Sequence, residues 1–140
     1  GYDSYSIQKI NGKNVLCLYG EIPDCLDMAV FDYTYKLCYL VNGKLKTYKD
    51  EGMYLSADGY SSKGLIMSHS NGDHCYFILT YKNGKIKVSN YLYWAPGDIY
   101  AKGIGGKTKI SKSEYDRIFN KYYADGKYKR IKYKSIKDFK

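Results

Sequence analysis

HCYFILTYKNGKIKVSNYLYW, residues 74–94, holds two apolar and aromatic runs on either side of Asn83-Gly84. A type I′ turn requires a positive φ at both central positions, and Asn and Gly tolerate this conformation. The stretch therefore predicts an antiparallel hairpin whose register is set by the turn. On one face this register pairs Tyr81 with Ile86, Leu79 with Val88, Phe77 with Asn90 and Cys75 with Leu92.

The other face of the hairpin is aromatic and polar. Its predicted pairs are Thr80 with Lys87, Ile78 with Ser89, Tyr76 with Tyr91 and His74 with Tyr93. Trp94 follows directly, so Tyr76, Tyr91, Tyr93 and Trp94 form a candidate aromatic binding surface. Exposed rings of this kind suit a sugar or a peptide, whereas a helix packed over them would make them part of the core.

Turn signals recur along the chain, with Asn-Gly-Lys at residues 11, 42 and 83. They indicate an antiparallel meander. The second hairpin is expected to pair Leu40 with Leu45 and Leu37 with Tyr48, and its mixed faces place it near a sheet edge. Further strands are expected over Leu26 to Tyr33, and over Met53 to Ser56 and Gly64 to Ser68 around an Asp58-Gly59 turn.

One helix is predicted after residue 110. Ser111 and Glu114 form a capping box, and Asp125-Gly126 supplies the stop. An apolar stripe at helical spacing consists of Tyr115, Ile118, Phe119 and Tyr122. The expected fold class is α+β, mainly β: an antiparallel β-meander with one C-terminal helix packed on the sheet. Residues 1–140 are expected to form a single domain.

Positive charge is concentrated near the C-terminus. Residues 1–101 hold 10 basic and 10 acidic side chains, whereas residues 102–140 hold 13 basic and 4 acidic ones. Within this region Lys127 to Lys134, KYKRIKYK, predicts an edge strand with Ile131 and Tyr133 pointing inward. The candidate site for an anionic partner consists of Lys129, Arg130, Lys132 and Lys134. A solvated lysine-rich surface without a partner is the alternative.

Several function classes are disfavoured by the composition. Only Arg117 and Arg130 among the 23 basic residues are arginine, which favours diffuse, salt-sensitive attraction over bidentate recognition. Because no zinc finger, helix-turn-helix or RNP-like strand is present, specific nucleic-acid binding is not expected. No apolar run approaches the ~20 residues of a membrane span, so no transmembrane segment is expected.

The densest polar cluster is SHSNGDH, residues 68–74. It contains hydroxyls, a carboxylate and the imidazoles of His69 and His74, which are components of a nucleophile and base set. An enzyme-like site around these two histidines is therefore one alternative. Because Asn71-Gly72-Asp73 is also turn chemistry, we expect a loop between strands and no catalytic residues.

The four cysteines, Cys17, Cys25, Cys38 and Cys75, show no Cys-x-x-Cys spacing, so neither a metal site nor a cofactor is expected. An oxidising location would permit disulfides, with Cys17 and Cys25 as the favoured pair because they flank Pro23. Reduced, buried thiols are favoured over this pairing, because three of the four cysteines lie in strand-like runs.

Five segments follow one another in a recognisable order: Glu21-Ile22-Pro23-Asp24-Cys25-Leu26, Asn42-Gly43-Lys44, Lys63-Gly64-Leu65, Asn83-Gly84-Lys85 and Lys109 to Ile118. This order resembles a broad group of uncharacterised secreted or lipid-anchored bacterial domains. Some members carry an acidic loop before the proline that resembles a calcium site, but residues 10–14 here, INGKN, lack the required carboxylates. The resemblance implies an extracytoplasmic location and no known activity.

Together these patterns predict a non-catalytic extracytoplasmic module that is part of a longer secreted or lipid-anchored protein. Its partner would be a protein, a glycan or an anionic wall polymer at the cell surface, held by tyrosine-rich and lysine-rich surfaces. Two alternatives remain open. One is the enzyme-like site around His69 and His74, and the other is a structural accessory domain with no ligand of its own.

Overall fold

The computed structural model describes residues 4–22, 32–48, 55–70, 72–135 and 137. In these ranges the chain forms two antiparallel sheets and one helix. The elements are β1 (Ser4–Ile10), β2 (Lys13–Ile22), β3 (Asp32–Val41), β4 (Lys44–Tyr48), β5 (Leu55–Ser61), β6 (Gly64–Ser70), β7 (His74–Lys82), β8 (Lys85–Ala95), β9 (Ile99–Lys102), β10 (Thr108–Lys109), α1 (Lys112–Tyr122), β11 (Lys129–Arg130) and β12 (Lys134–Ser135). The predicted mainly β α+β fold class is confirmed.

The strands divide between a five-stranded sheet, in the order β12-β1-β2-β3-β4, and a seven-stranded sheet, in the order β10-β9-β8-β7-β6-β5-β11. Every pairing between the described strands is antiparallel, and most pairings join consecutive strands, as a meander requires. The described residues thus form two sheets where one was expected. Turn signals specify hairpins, but they do not specify whether successive hairpins share a sheet.

The described elements form three layers, because the two sheets pack face to face and α1 covers the far side of the seven-stranded sheet. Between the sheets lie Ile10, Val15, Cys17, Ala57, Leu65, Met67, Cys75, Phe77 and Leu79. Under the helix lie Ile66, Ile78, Leu92 and Tyr123, with Ile118 and Phe119 packed against them. Strand β7 lies at the centre of the seven-stranded sheet. Its consecutive residues Ile78 and Leu79 point to opposite faces of the sheet, and both are fully buried.

The β7–β8 hairpin follows the predicted register near its turn. Asn83 and Gly84 have φ values of 54° and 77°, as a type I′ turn requires. Tyr81 pairs with Ile86, and the ladder continues without a break to Ile78 opposite Ser89. This part of the prediction is confirmed.

Beyond Ser89 the register departs from the prediction. Tyr76 pairs with Leu92, so that Asn90 and Tyr91 together oppose Phe77 in a β-bulge. Asn90 adopts a φ of 54°, a left-handed conformation that asparagine tolerates. The bulge shifts the rest of β8 by one residue. The predicted pairs Cys75 with Leu92, Tyr76 with Tyr91 and His74 with Tyr93 are therefore wrong.

The other turns were predicted with mixed success. Asn42-Gly43 forms a turn with positive φ at both residues, Leu40 pairs with Leu45, and β4 is an edge strand, all as expected. Asp58-Gly59 is not a turn, because both residues lie inside β5, where the ladder to β6 contains a bulge. The expected strands over Leu26 to Tyr33 and Met53 to Ser56 fall partly outside the described residues.

Helix α1 begins as predicted. The Glu114 amide donates to Oγ of Ser111 at 3.1 Å, and Ser111 is the N-cap. In a full capping box the Glu114 carboxylate would also accept a hydrogen bond from the Ser111 amide. Here that carboxylate instead forms ion pairs with Arg117 at 2.7 Å and with Lys102 at 3.5 Å. The hydrogen bond from Arg117, followed by that from Lys102, lowers the pKa of Glu114 to about 2.

The C-terminal segment forms two short strands instead of one. Strand β11 pairs with β5 at the edge of the seven-stranded sheet, and β12 pairs with β1 at the edge of the five-stranded sheet. Ile131 and Tyr133, which lie between them, pack against the buried cluster between the sheets, as predicted. The segment therefore joins the edges of both sheets.

Candidate functional site

Three of the four predicted basic residues converge on one surface. Lys129, Arg130 and Lys132, together with Gln8 and Tyr60, line a groove of about 530 Å³. An adjoining groove of about 300 Å³ shares Tyr60 and Lys129 with it and adds Ser61, Ser62, Gly126, Lys127 and Tyr128. We call these two depressions together the basic groove.

The basic groove exists because the C-terminal segment lies directly against β5. Lys129 pairs with Tyr60, and Arg130 pairs with Gly59. Asp58 is the extra residue of the β5 bulge, and its carbonyl oxygen accepts a hydrogen bond from the Ile131 amide at 2.9 Å. The bulge thus supplies the acceptor that holds the segment after β11.

The groove remains positively charged despite two nearby carboxylates. Arg130 donates to Asp125 at 3.1 Å, but both side chains are highly exposed, so this ion pair contributes little. The Arg130 guanidinium also lies 6.0 Å from the ring centre of Tyr128. Burial, followed by the nearby Asp58 carboxylate, raises the pKa of Tyr128, whose hydroxyl therefore stays a donor at neutral pH.

Lys134, the fourth predicted basic residue, lies apart from the other three. It belongs to β12 and pairs with Tyr5 on the five-stranded sheet. The single edge strand that would have aligned all four residues is interrupted, because the segment crosses from one sheet to the other.

A second depression lies between α1 and the end of the β7–β8 hairpin. It has a volume of about 310 Å³ and is lined by His74, Tyr76, Trp94, Tyr100, Lys112, Tyr115 and Asp116. We call it the aromatic groove. It contains two of the predicted aromatic residues, Tyr76 and Trp94.

The rings of the aromatic groove support one another. Trp94 lies against His74 with ring centres 5.1 Å apart, and Tyr100 lies against Tyr115 at 5.2 Å. Burial raises the pKa values of Tyr76 and Tyr115, so both hydroxyls remain protonated at neutral pH. Lys112 and Asp116 form an ion pair of 2.7 Å at the rim. The groove therefore combines stacked rings with a few polar groups.

Tyr91 and Tyr93 do not join this groove, contrary to the predicted shared aromatic face. They flank Leu92 in β8, and because Leu92 pairs with Tyr76, both tyrosines face the other sheet. The Tyr91 ring stacks on Phe77 with centres 5.9 Å apart. The physical reason for the error is the bulge at Asn90, which reverses the faces of the residues that follow it.

The two histidines of the polar cluster lie on opposite faces of the seven-stranded sheet. His69 pairs with Cys75, whereas the neighbouring His74 pairs with Ser70 and lines the aromatic groove. The structure therefore does not bring them into one site. On its own face, His69 lies 3.6 Å from Asp73, which also accepts a hydrogen bond from the Tyr93 hydroxyl at 2.9 Å. That bond raises the pKa of Tyr93.

The part of the chain that the structure describes offers neither a reactive cysteine nor a cluster of metal ligands. Cys17, Cys38 and Cys75 are reduced thiols, of which Cys17 and Cys75 are buried, and Cys25 lies outside the described residues. Burial, followed by the proximity of Cys38, raises the pKa of Cys17 to about 12, so its thiolate is not populated at neutral pH. No group of three metal-ligating side chains occurs within the described ranges.

Tyr60, Tyr128, Tyr100 and Tyr115 line the two grooves but were not among the predicted site residues. The alternation of Lys and Tyr in KYKRIKYK was a usable signal for Tyr128. Tyr60 carries no such signal, because its place in the groove depends on its pairing with Lys129, 69 positions later in the chain. Tyr115 was assigned correctly to the inner stripe of the helix, and it reaches the groove from the edge of that stripe.

Comparison of the chain with protein-family models, with curated proteins and with solved structures found no match. The resemblance to secreted bacterial domains stays a prediction. No helix in the described ranges is long and apolar enough to cross a membrane.

Proposed function

We propose that this protein is a non-catalytic extracytoplasmic module that binds an anionic polymer in the basic groove. The observation that supports this most directly is the convergence of Lys127, Lys129, Arg130 and Lys132 on adjoining grooves. Two carboxylates, Asp58 and Asp125, lie nearby, so cations outnumber anions at this surface. A linear polyanion suits such a site because its repeating charges can meet several cations at once.

The residues of the groove favour a loosely specified polymer over a single small anion. Lysine is a compact, strongly hydrated charge that does not impose the planar geometry of an arginine fork. Tyr60 and Tyr128 add flat faces and hydroxyl donors beside the cations. Binding is therefore expected to depend on charge density and salt more than on the sequence or branching of the polymer.

The test is retention on immobilised heparin and on poly(glycerol phosphate) across a salt series. The variant Lys129→Gln/Arg130→Gln/Lys132→Gln is expected to elute earlier. The plot of the logarithm of the binding constant against the logarithm of the salt concentration is also expected to be shallower for this variant. Its slope is expected to fall by about 2–3, because each lost cation would have displaced about one counterion from the polymer. Circular dichroism checks that the variant keeps its fold.

The matched control is Lys82→Gln/Lys85→Gln/Lys87→Gln at the tip of the β7–β8 hairpin, where all three lysines are exposed. It removes the same charge from another place. Equal losses in the two variants would mean that net charge alone drives retention, and the basic groove would not be the site. Weak retention of the parent protein would favour the structural accessory domain without a ligand.

The aromatic groove favours a second candidate function, the binding of a neutral glycan. Its half-buried Trp94 ring and its Lys112–Asp116 ion pair supply a stacking surface and hydrogen-bonding groups in one depression. Ligand sites commonly combine aromatic walls with a few polar groups that fix orientation. This candidate uses a different face from the polyanion site, so the two are independent.

Trp94 is the only tryptophan in the chain and provides a built-in probe. Titration with two neutral probes, chitooligosaccharides and cello-oligosaccharides, is expected to shift or quench its fluorescence in the parent protein. Asp116→Ala is expected to weaken this response about tenfold, because a hydrogen bond to a charged group contributes roughly 1.5–3 kcal/mol. The control is Asp98→Ala, in the exposed β8–β9 turn. An unchanged Trp94 signal with both probes would argue against a glycan at this groove.

A further inference from the structure

The outer face of the five-stranded sheet, which faces away from the other sheet, is unusually apolar. Ile7, Leu40 and Leu45 are 58%, 56% and 67% exposed. With Leu16 and Cys38 they line a groove of about 610 Å³ near the Asn11-Gly12 end of the sheet. The strand register places these side chains on one face, since Ile7 pairs with Leu16, Leu16 with Cys38, and Leu40 with Leu45. Contiguous exposed apolar surface of this kind marks an interaction site.

Lysines border this apolar face. Lys9 shares the outer face of β1 with Ile7. The exposed Lys44 and Lys46 flank Leu45 on the edge strand β4, but alternation along the strand assigns them to its opposite face. At the opposite edge, Lys134 of β12 pairs with Tyr5, which alternation also places on the outer face. In addition, Lys13 lines the groove, and its Nζ donates to the Leu40 carbonyl oxygen at 2.7 Å, which holds a further charge there.

Negative charge is concentrated elsewhere in the described part of the molecule. The acidic residues whose side chains the structure describes lie on the seven-stranded sheet, its turns, or the helix and its C-terminal turn; they are Asp58, Asp73, Asp98, Glu114, Asp116 and Asp125. On the five-stranded sheet, Glu21 and Asp32 stand at the far end of the β2–β3 pair, where Ile22 pairs with Asp32. The apolar face is therefore bordered by cations at the end that carries the groove.

We propose that this face binds the surface of an anionic lipid bilayer. Exposed aliphatic side chains that enter the interface, together with lysines that reach the headgroups, are the two contributions that hold proteins on such surfaces. Lysine suits this place because its alkyl chain can lie along apolar surface while its charge stays in water. The face would hold the domain against the membrane without a spanning segment.

Two other occupants fit the same face less well. A second copy of the chain would bring two rims of lysines together, and like charges in contact oppose association. A protein partner would be expected to meet aromatic residues and arginine, which are enriched at such interfaces, whereas lysine is depleted there. The combination of aliphatic residues and lysines favours lipid over both.

The experiment is co-sedimentation of the protein with vesicles made of equal parts phosphatidylglycerol and phosphatidylcholine, compared with vesicles of phosphatidylcholine alone. The parent protein is expected to bind only the anionic vesicles. Leu40→Gln/Leu45→Gln is expected to reduce the partition coefficient by at least about tenfold, because the apolar contribution of two leucines is lost. Lys9→Gln/Lys134→Gln, which removes two exposed lysines from the outer face, is expected to reduce it and to weaken its salt dependence.

The control variant is Ile99→Gln/Ile104→Gln, which removes two side chains that are 47% and 61% exposed on the other side of the molecule. It is expected to bind as the parent does. Equal binding of the leucine variant and this control would overturn the proposal, as would failure of the parent to bind anionic vesicles. Dimerisation of the parent that Leu40→Gln/Leu45→Gln abolishes, without vesicle binding, would assign the face to a second copy and likewise overturn it.

Discussion

Replacing Gly59 by alanine is expected to release the C-terminal segment from β5 and to lower the free energy of unfolding by about 3 kcal/mol. A methyl group at this position would overlap the Tyr128 ring and the carbonyl oxygen of Lys129. The backbone oxygen cannot move without breaking the pairing between β11 and β5. Because Gly59 is not in a left-handed conformation, the effect is one of space alone.

The loss in stability is measured by urea denaturation, and the release of the segment by hydrogen exchange of the Ile131 amide, which is bonded to Asp58. The same variant is expected to lose its salt-dependent retention on polyanions, because the basic groove requires the segment in place.

The control is Gly43→Ala in an open turn, where φ is 76° and no atom lies within 4 Å of the added methyl. There only backbone strain is introduced, about 1 kcal/mol. Equal effects at Gly59 and Gly43 would show that the segment is not seated on β5.

Leu79→Ala is expected to lower the free energy of unfolding by about 2–5 kcal/mol. Leu79 is fully buried between the two sheets, where it pairs with Leu65 on β6 and Val88 on β8. Truncation removes apolar contacts and leaves a cavity that the flanking strands cannot close without losing ladder hydrogen bonds. Urea denaturation followed by Trp94 fluorescence provides the measurement.

Two companion variants show which layer is affected. Ile78→Ala removes a fully buried side chain under α1 and is expected to cost about as much as Leu79→Ala, since both residues lie in the central strand. Leu45→Ala, at 67% exposure on the outer face, is expected to change stability by less than about 0.5 kcal/mol. A large loss for Leu45→Ala would mean that this face is covered within the protein. That result would also contradict its assignment to a lipid surface.

Much of the local structure could be predicted because neighbouring residues determine it. Asn83 and Gly84 adopt positive φ as their chemistry allows, and the register of the adjoining pairs follows from the turn. Ser111 caps α1 because its hydroxyl reaches an amide three residues away. Each of these interactions closes a short loop of chain, so the residue types alone indicate the outcome.

The candidate sites were predicted only in part. Lys129, Arg130 and Lys132 share a groove as expected, but Lys134 lies on the other sheet, and Tyr91 and Tyr93 face away from Tyr76. Both departures arise from features with weak local signals. Asparagine tolerates a left-handed backbone conformation but does not require it, so Asn90 alone does not predict the bulge. In the basic C-terminal segment, no residue type indicates where the chain passes from one sheet to the other.

Residues close together in the chain thus specified the turns, the helix cap and the alternation of faces within each hairpin. The division of strands between two sheets, the bulges in β5 and β8 and the composition of both grooves depended on contacts across long stretches of chain. Leu92 is buried beneath α1 in the register that the bulge at Asn90 creates, and Gly59 leaves room for Tyr128. Such contacts form only when the layers pack. The burial of apolar surface that stabilises them requires residues from every layer at once, so no single segment of the chain indicates them.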